Sequence, residues 1–329
     1  MSFTNFPDGI TSLGMPVTGS IPLVLGSTGV GKIYFVDATN GSDGNSGLSP
    51  DKALATVSAA YTLAVSGDTI ALSTNAVHSL SSGLDVTKSR INFIGLDFGG
   101  RFVQQGARIQ LATASTSAYV IKNTGVRNSF VNIKFIQAAT AATALNVMQE
   151  GGEGTLWRNC SFIFGVADNL DLTTAHEVLA GSDSATYVGC TFGCDTLLTT
   201  AARSVFHIDQ VTSGQEFKSN ILKECYFIIS SSSSTATFVR LDAVTDILFT
   251  NIFDHCIFVA SVDSAGGIAI AEASQTGTGT TKGTLCYMYP GTAGVTDFST
   301  ATSGRNANTF IIAPSPTAGT AGLGIAPTA

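Results

Sequence analysis

The chain has 329 residues and a formal net charge of −7 at pH 7, and only 12% of its residues are charged. Average globular proteins contain about 25% charged residues, so an apolar surplus must be buried in a core or against other subunits. The acidic balance disfavours nucleic acid as a partner, because such a surface needs clustered Lys and Arg. No apolar run reaches the ~20 residues of a membrane-spanning helix, so we expect no membrane contact either.

The first segment, residues 1–31, has no periodicity and interrupts its apolar residues with Pro and Gly. Disordered tails are usually poor in large apolar residues. This segment therefore predicts an extended arm whose apolar side chains lie on another surface. The residues expected to make that attachment are Phe3, Phe6, Ile10, Leu13 and Val17.

The second segment, residues 32–72, begins with a strand at residues 33–36 and continues into a turn-rich loop. Ser49 followed by Pro50 is typical of a helix start, and Gly67 predicts the helix end. A helix here would cap the open end of a repeat structure, which otherwise exposes its core and an unpaired strand. Its expected apolar stripe consists of Leu54, Val57, Tyr61, Ala64 and Val65.

The body, residues 73–296, repeats a short phrase in which a small or polar residue precedes Cys, any residue and Phe. The phrase occurs at Cys160, Cys190, Cys225 and Cys256, with looser copies around Ile133 and Cys286. The intervals between these six positions are 27, 30, 35, 31 and 30 residues, and a period of roughly 20–50 residues indicates stacked repeats. Because strand side chains alternate, a Cys and a Phe two residues apart point to the same face.

A second phrase interleaves with the first, as short strand patterns at residues 144–148, 177–180, 204–209, 237–242 and 267–272. Each period therefore carries at least two short strands, joined by loops of Gly, Ser and Thr, with no long helix between them. This combination predicts an all-β chain folded as a parallel β-helix, with one sheet spacing (~4.8 Å) per coil. The inward column would be Cys160, Phe162, Cys190, Phe192, Cys225, Phe227, Cys256, Phe258 and Cys286.

The last segment, residues 297–329, is rich in Thr, Ala, Gly and Pro and has one strand-like piece at residues 309–312. This composition predicts a last strand followed by a loose or partner-bound tail.

The cysteines and histidines predict neither a disulfide framework nor a metal site. Five of the six cysteines occupy the inward repeat position, and Cys194, four residues after Cys190, shares its parity. Buried reduced thiols explain this pattern more simply than disulfides do. The four histidines lack metal-ligand spacing, so we expect no metal and no cofactor.

Catalysis on such a scaffold would need paired acids on the outer face of neighbouring coils. Asp209 and Asp242 are the best candidates, because the strands that they end align, with His207 beside Arg240. Two carboxylates one coil apart could approach the ~5 Å of a retaining glycosidase pair. Aligned acids at strand ends are also ordinary solvated residues. We therefore expect a protein without enzymatic activity, with glycan hydrolase or lyase activity as the alternative.

A binding or structural role has more support in the residues that point outward. The position three after each inward Cys should be polar if it faces water, yet it is nearly all apolar, and the position one after adds to it. We predict that this face is buried against another copy in a closed oligomer. The interface residues would be Ile136, Ile163, Tyr226, Ile228, Ile257, Val259, Tyr287 and Tyr289.

Two stretches resemble known families. Residues 34–72 resemble the opening segment of pectin-lyase-like right-handed parallel β-helix proteins. The motifs that carry this resemblance are Val36-Asp37, Asn40-Gly41-Ser42-Asp43, Gly47-Leu48-Ser49-Pro50, Ala55-Thr56-Val57 and Gly67-Asp68-Thr69-Ile70. Residues 6–17 resemble the amino-terminal arms of virion structural proteins of tailed bacteriophages that carry such β-helices.

These resemblances imply a homotrimeric structural protein on the surface of a phage particle, made in the host cytoplasm. A capsid decoration protein held by its arm to the major capsid protein, or to other virion proteins, is the first expectation. The alternative is a tail spike or fibre that binds or cleaves host surface polysaccharide. Kinship of fold does not by itself give function.

Overall fold

The computed structural model describes residues 11–12, 15–16, 31–97, 105–166, 175–198, 204–213, 216–231, 236–241, 247–248, 250–261, 268–272, 280–284, 287–289 and 299–300. Among these residues, no helix combines the length and the apolar character needed to cross a membrane.

The described chain is almost entirely β-structure, with one α-helix, α1 (Val57–Leu63), and a 3-10 turn at Pro50–Lys52. Its strands, in chain order, are β1 (Thr11–Ser12), β2 (Met15–Pro16), β3 (Ile33–Val36), β4 (Thr69–Leu72), β5 (Val77–Leu80), β6 (Leu84–Val86), β7 (Asn92–Gly95), β8 (Arg108–Leu111), β9 (Ile121–Asn123), β10 (Ser129–Val131), β11 (Lys134–Gln137), β12 (Asn146–Glu150), β13 (Leu156–Arg158), β14 (Ser161–Phe164), β15 (His176–Ala180), β16 (Thr186–Val188), β17 (Thr191–Phe192), β18 (Ser204–Ile208), β19 (Phe217–Lys218), β20 (Ile221–Lys223), β21 (Tyr226–Ser230), β22 (Thr237–Leu241), β23 (Ile247–Leu248), β24 (Thr250–Asp254), β25 (Ile257–Ser261), β26 (Ile268–Glu272), β27 (Thr280–Thr284), β28 (Tyr287–Tyr289) and β29 (Ser299–Thr300).

Three sheets form the body. Sheet I has nine strands in the order β27-β24-β20-β16-β13-β10-β7-β4-β3, sheet II has the order β28-β25-β21-β17-β14-β11-β8-β5, and sheet III has the order β29-β26-β22-β18-β15-β12-β9-β6. The chain visits sheets I, II and III in turn and returns to sheet I one strand further along. All pairings within the three sheets are parallel, as in β10 with β13 and β11 with β14. The prediction of an all-β parallel β-helix is therefore confirmed.

The corner from sheet I to sheet II has a constant length from β10 onward. Register-equivalent residues of the two strands are five apart in each of these coils, at Ser129 and Lys134, Leu156 and Ser161, Thr186 and Thr191, Ile221 and Tyr226, and Ile252 and Ile257. The residue before each inward position has a positive φ, between 50° and 62°, at Asn132, Asn159, Gly189, Glu224 and His255. Because Asn and Gly tolerate this left-handed conformation better than other residues, it explains most of the small or polar residues before the inward position.

The ladder cysteines lie directly after this corner in the interior. Cys160, Cys190, Cys225 and Cys256 are all fully buried. Each thiol donates to the carbonyl oxygen of the inward sheet I residue one coil earlier, at Sγ–O distances of 3.3 to 3.6 Å, the acceptors being Phe130, Trp157, Tyr187 and Leu222. Cysteine suits the position because it is a small apolar residue that still offers a weak donor.

Aromatic rings stack from coil to coil along the core. On sheet II the centroid distances between successive rings are 5.4, 5.5, 5.0 and 4.8 Å for Phe135, Phe162, Phe192, Phe227 and Phe258. On sheet I, Phe130 lies 4.9 Å from Phe93 and 3.9 Å from Trp157. The two stacks meet edge to face, as Trp157 and Phe162 do at 5.4 Å and 71°. Each such pair adds roughly 0.5–1.5 kcal/mol beyond its burial.

The corner from sheet III to sheet I is held by buried asparagines. Asn128 Oδ1 accepts the backbone N–H of Ile91 at 2.8 Å, and Asn220 Oδ1 accepts that of Ala185 at 2.8 Å. Asn251 Oδ1 in turn accepts the N–H of Asn220 at 2.9 Å. Each amide therefore satisfies a buried backbone donor one coil earlier, which an apolar side chain could not do.

The capping helix begins later than the sequence pattern predicts. Ser49 and Pro50 start only the 3-10 turn, and α1 begins after Thr56, whose hydroxyl accepts the N–H of Ala59 at 3.1 Å. The chain between them has another role: Leu54 pairs with β3, the last strand of sheet I, and covers its edge. Val65, expected on the buried stripe, lies after the end of the helix and is 63% exposed.

Cys194 also departs from its prediction. Strand β17 ends at Phe192, so the alternation that would turn Cys194 inward stops, and its side chain is only half-buried. Other predicted features lie outside the described residues: the apolar residues of the arm, Cys286, Asp242 and the strand at residues 309–312. Within the arm, β1 and β2 form a short antiparallel pair.

The cysteines should separate into two classes of reactivity. Burial raises the pKa of the Cys160 and Cys225 thiols well above the usual range, and the thiolate is the reactive form. We expect iodoacetamide to modify Cys194 in the native protein and the four ladder cysteines only after unfolding, as measured by mass spectrometry of peptides. Cys194→Ser is the control that should remove the fast reaction. Rapid native modification of a ladder cysteine would contradict the inward stack.

Candidate functional site

The outer face of sheet II changes character along the axis. In the first coils this face carries the polar residues Ser79, Arg108, Gln110 and Lys134 beside the apolar Val77 and Ile136. From β21 onward the same two columns are apolar, with Tyr226 paired to Ile257 and Ile228 paired to Val259. The backbone register of β28 pairs Tyr287 with Ile257 and Tyr289 with Val259.

The predicted interface residues lie together on this face. Ile136 is paired with Ile163, and these two side chains are half-buried, as are Tyr226, Ile228, Ile257 and Val259. The column is interrupted at Gly193, because a Cβ there would lie 2.0 Å from the carbonyl oxygen of Ile228. The protein therefore covers each of these apolar side chains only in part.

The predicted pair of acids is not brought together among the described residues. The register that motivated it is present, with Phe206 opposite Val239 and His207 opposite Arg240. Asp209 follows β18 and is half-buried, and its carboxylate accepts the N–H of Gln210 at 2.7 Å. Asp242 lies outside the described residues.

A groove lies on the opposite corner, between sheets III and I, with a volume of about 310 Å³. Glycines form its floor, and its charged residues come from successive coils. Asp183 is bridged by its backbone to both Glu153 and Lys218, and its carboxylate lies 3.0 Å from Lys218 Nζ. The lining residues are Thr124, Val126, Gly151, Gly152, Glu153, Gly181, Asp183, Glu216 and Lys218.

Beside this groove lies a fully buried carboxylate that the sequence pattern did not reveal. Glu150 accepts hydrogen bonds from Trp157 Nε1 at 2.7 Å, Gly152 N at 2.6 Å, Asn123 Nδ2 at 2.9 Å and Thr155 Oγ1 at 3.2 Å. Burial raises the pKa of Glu150 to about 7, against the opposing effect of these four donors. In the sequence, a glutamate at the end of a strand suggests a solvated residue. Its burial was not predictable because its hydrogen-bond partners lie up to 27 residues away in the chain.

Metal chemistry finds no support in the described part of the chain. No group of three or more His, Cys, Asp or Glu side chains there is arranged to hold a metal ion. The closest imidazoles, His176 and His207, have ring centroids 4.3 Å apart, and Nδ1 of His176 lies 2.9 Å from the Ser204 hydroxyl.

Comparison with solved structures shows the fold. The pectate lyase Pel9A is similar with a TM-score of 0.52 and 14% identity, over 84% of this chain and 80% of that one. A deglycosylated pectin methylesterase from Aspergillus niger gives a TM-score of 0.48 and 10% identity, over 83% and 90% of the two chains. Pectin methylesterase PemA from Erwinia chrysanthemi gives 0.43 and 12%, over 82% and 92%.

The protein is therefore a parallel β-helix protein with the fold of pectate lyase. No protein-family model matches the chain, and no curated protein does. At such low identity a shared fold carries no activity with it.

Glu150 should make stability depend on pH. Its pKa is raised from 4.5 to about 7 in the folded protein, so its contribution is fully present below about pH 4.5 and is lost as the pH rises through 7. The shift corresponds to about 3 kcal/mol of unfolding free energy. We expect urea unfolding to show this fall between pH 4.5 and 8 in the wild type, and Glu150→Gln to lack it.

The matched control is Glu153→Gln, three residues away on the surface. It should keep the pH dependence of the wild type. Because Gln at position 150 also replaces an acceptor by a donor, the comparison concerns the slope against pH and not the absolute stability. Equal slopes in wild type and Glu150→Gln would show that Glu150 is ionised in the fold throughout this range.

Proposed function

We propose that the protein is a non-enzymatic structural component of a tailed-bacteriophage virion, a homotrimer that decorates the capsid and is attached by its amino-terminal arm. The observation that carries the trimer is the apolar strip on the outer face of sheet II, formed by Ile136, Ile163, Tyr226, Ile228, Ile257 and Val259. The resemblance of residues 6–17 to the arms of phage virion proteins supports the virion assignment.

A second copy of the chain is the occupant that best matches the apolar strip. In a parallel assembly the coils of neighbouring subunits lie at the same height, so the strip meets its own counterpart along its whole length. Ile163, Ile228 and Val259 are half-buried and can lose further accessible surface in a contact. The free energy gained by each is less than the ~1.5–3 kcal/mol for burying a fully exposed side chain. Closed cyclic symmetry then leaves no open face for further association.

The charged coils limit the contact to one end. Arg108 and Lys134 stand on the same face, and in a parallel trimer they would approach their own copies. Like charges so placed repel each other, whereas Tyr226, Ile228, Ile257 and Val259 have no charge to separate. The proposed contact is therefore closest in the later coils and loosens toward Arg108 and Lys134 in the early coils.

Replacing two residues of the strip tests the trimer. We expect Ile163→Asp with Ile228→Asp to give monomers or aggregate. Burial of Ile136, Ile163, Ile228 and Val259 must outweigh an association cost of several kcal/mol or more, and the double substitution removes two of the four. Light scattering after size-exclusion chromatography measures the mass. The control is Ile221→Asp, a similar change at a 39% exposed residue on sheet I, which should leave the mass unchanged. A stable wild-type monomer would refute the interface.

Deleting residues 2–25 tests the arm. The described core of the β-helix begins at β3 (Ile33–Val36), so the truncated protein should keep its fold and its trimeric mass. Its incorporation into particles should be lost, as measured by gel analysis of purified particles assembled with wild-type or truncated protein. Normal incorporation of the truncated protein would refute the attachment role.

A tail spike acting on polysaccharide is the second candidate, favoured by the groove that holds Glu153, Asp183 and Glu216 beside Lys218. Such acids are suited to glycan binding or cleavage. One solved structure of similar fold, Pel9A, is named as a pectate lyase. Asp209→Asn should leave stability nearly unchanged, since its carboxylate contacts only the adjacent N–H of Gln210 among the bonds described. If wild type depolymerises host polysaccharide and either Asp209→Asn or Asp242→Asn does not, the spike replaces decoration.

A further inference from the structure

A row of polar side chains crosses the early part of the outer face of sheet II. Arg108 is the direct neighbour of Lys134, and Lys134 is the direct neighbour of Ser161. Neighbouring strands lie ~4.8 Å apart, so a guanidinium, an ammonium and a hydroxyl succeed one another at one sheet spacing. The Arg108 and Lys134 side chains are half-buried. This row lies beside the first residues of the apolar strip, because Ile136 and Ile163 follow Lys134 and Ser161 by two residues on the same strands. It is separate from the groove at the opposite corner.

Arg108 has an unsatisfied donor in this row. Its Nε atom is buried and has no hydrogen-bond partner. A buried guanidinium N–H without an acceptor costs free energy, and nearly all such groups in proteins are paired. An acceptor atom that reaches this donor would therefore remove the penalty.

The two neighbouring cations also repel each other. The pKa of Lys134 is lowered, first by burial and then by the positive charge of Arg108. An anion shared by the two side chains would offset both the burial and the repulsion. An acceptor at this position is thus favoured more strongly if it carries negative charge.

The far end of the row, Ser161, is fixed by a further polar residue. Gln105 is 2% exposed, accepts the Ser161 hydroxyl at 2.8 Å and donates to the carbonyl oxygen of Asn159 at 3.0 Å. This bridge spans two coils beyond β8 and holds the Ser161 hydroxyl in place. The hydroxyl end of the row is therefore held in one position.

We infer that Arg108 and Lys134 form a binding site for an oxyanion of the carboxylate or phosphate type. Arg108 supplies Nε–H and its terminal N–H groups as a planar fork that matches two oxygens, and Lys134 supplies a point charge beside them. The anion can be free in solution or can be the acidic group of a sugar. This inference does not depend on the trimer or on the virion role.

Titration of the full chain with three sodium salts tests the site. The probes are acetate, glucuronate and inorganic phosphate, at constant ionic strength maintained with chloride. We expect saturable binding by calorimetry, together with a shift of the Arg108 Nε–H resonance in the nitrogen–proton spectrum. Tighter binding of glucuronate than of acetate would identify an acidic sugar as the source, and tightest binding of phosphate would identify a phosphate group.

Three variants assign the binding to this pair. Arg108→Lys keeps the charge but loses the fork, and Lys134→Gln loses the point charge, so each should weaken binding about tenfold or more. Arg158→Gln removes an exposed cation from the outer face of sheet I and should bind as the wild type does. If Arg108→Lys fails to fold, Lys134→Gln and the Nε–H resonance decide the question. Absence of saturable binding for all three salts, or unchanged affinity in Lys134→Gln, would overturn the inference.

Discussion

Register between coils is the constraint on which the whole structure depends. Parallel strands one sheet spacing apart place every inward side chain against its counterparts above and below, so a misfit in one coil affects two others. The chain meets this demand by stacking like on like. Rings lie on rings along sheet II, thiols lie at the corner that follows sheet I, and amides lie at the corner that precedes it.

The repeat that is visible in the sequence is the one corner whose length does not vary. Between sheets I and II the chain always advances five residues from β10 onward, so Cys and Phe recur together and the inward column could be predicted. The inward column of sheet I could not be predicted in the same way, because its residues change in type. They are Phe93, Phe130, Trp157, Tyr187 and Leu222. Their common feature is volume, which no single-letter repeat expresses.

Other features were predicted wrongly or missed for local reasons. Parity predicts an inward side chain only while a strand lasts, and β17 ends before Cys194. Glu150 is invisible from the sequence because its four partners come from β9, from the loop after β12 and from β13. The Arg108 and Lys134 pair is 26 residues apart in the chain and becomes adjacent only through the register of β8 and β11. Candidate sites on a solenoid thus require the register before they can be found.

The fixed corner has a consequence for how such a chain can change in length. Because all variation in coil size is taken up on the other two sides, one complete coil could be removed or duplicated without turning any remaining face. The molecule would become shorter or longer by ~4.8 Å for each coil, while its outward columns stayed in phase. The length of the β-helix can therefore change in equal steps of one coil while the direction of each outward column is kept.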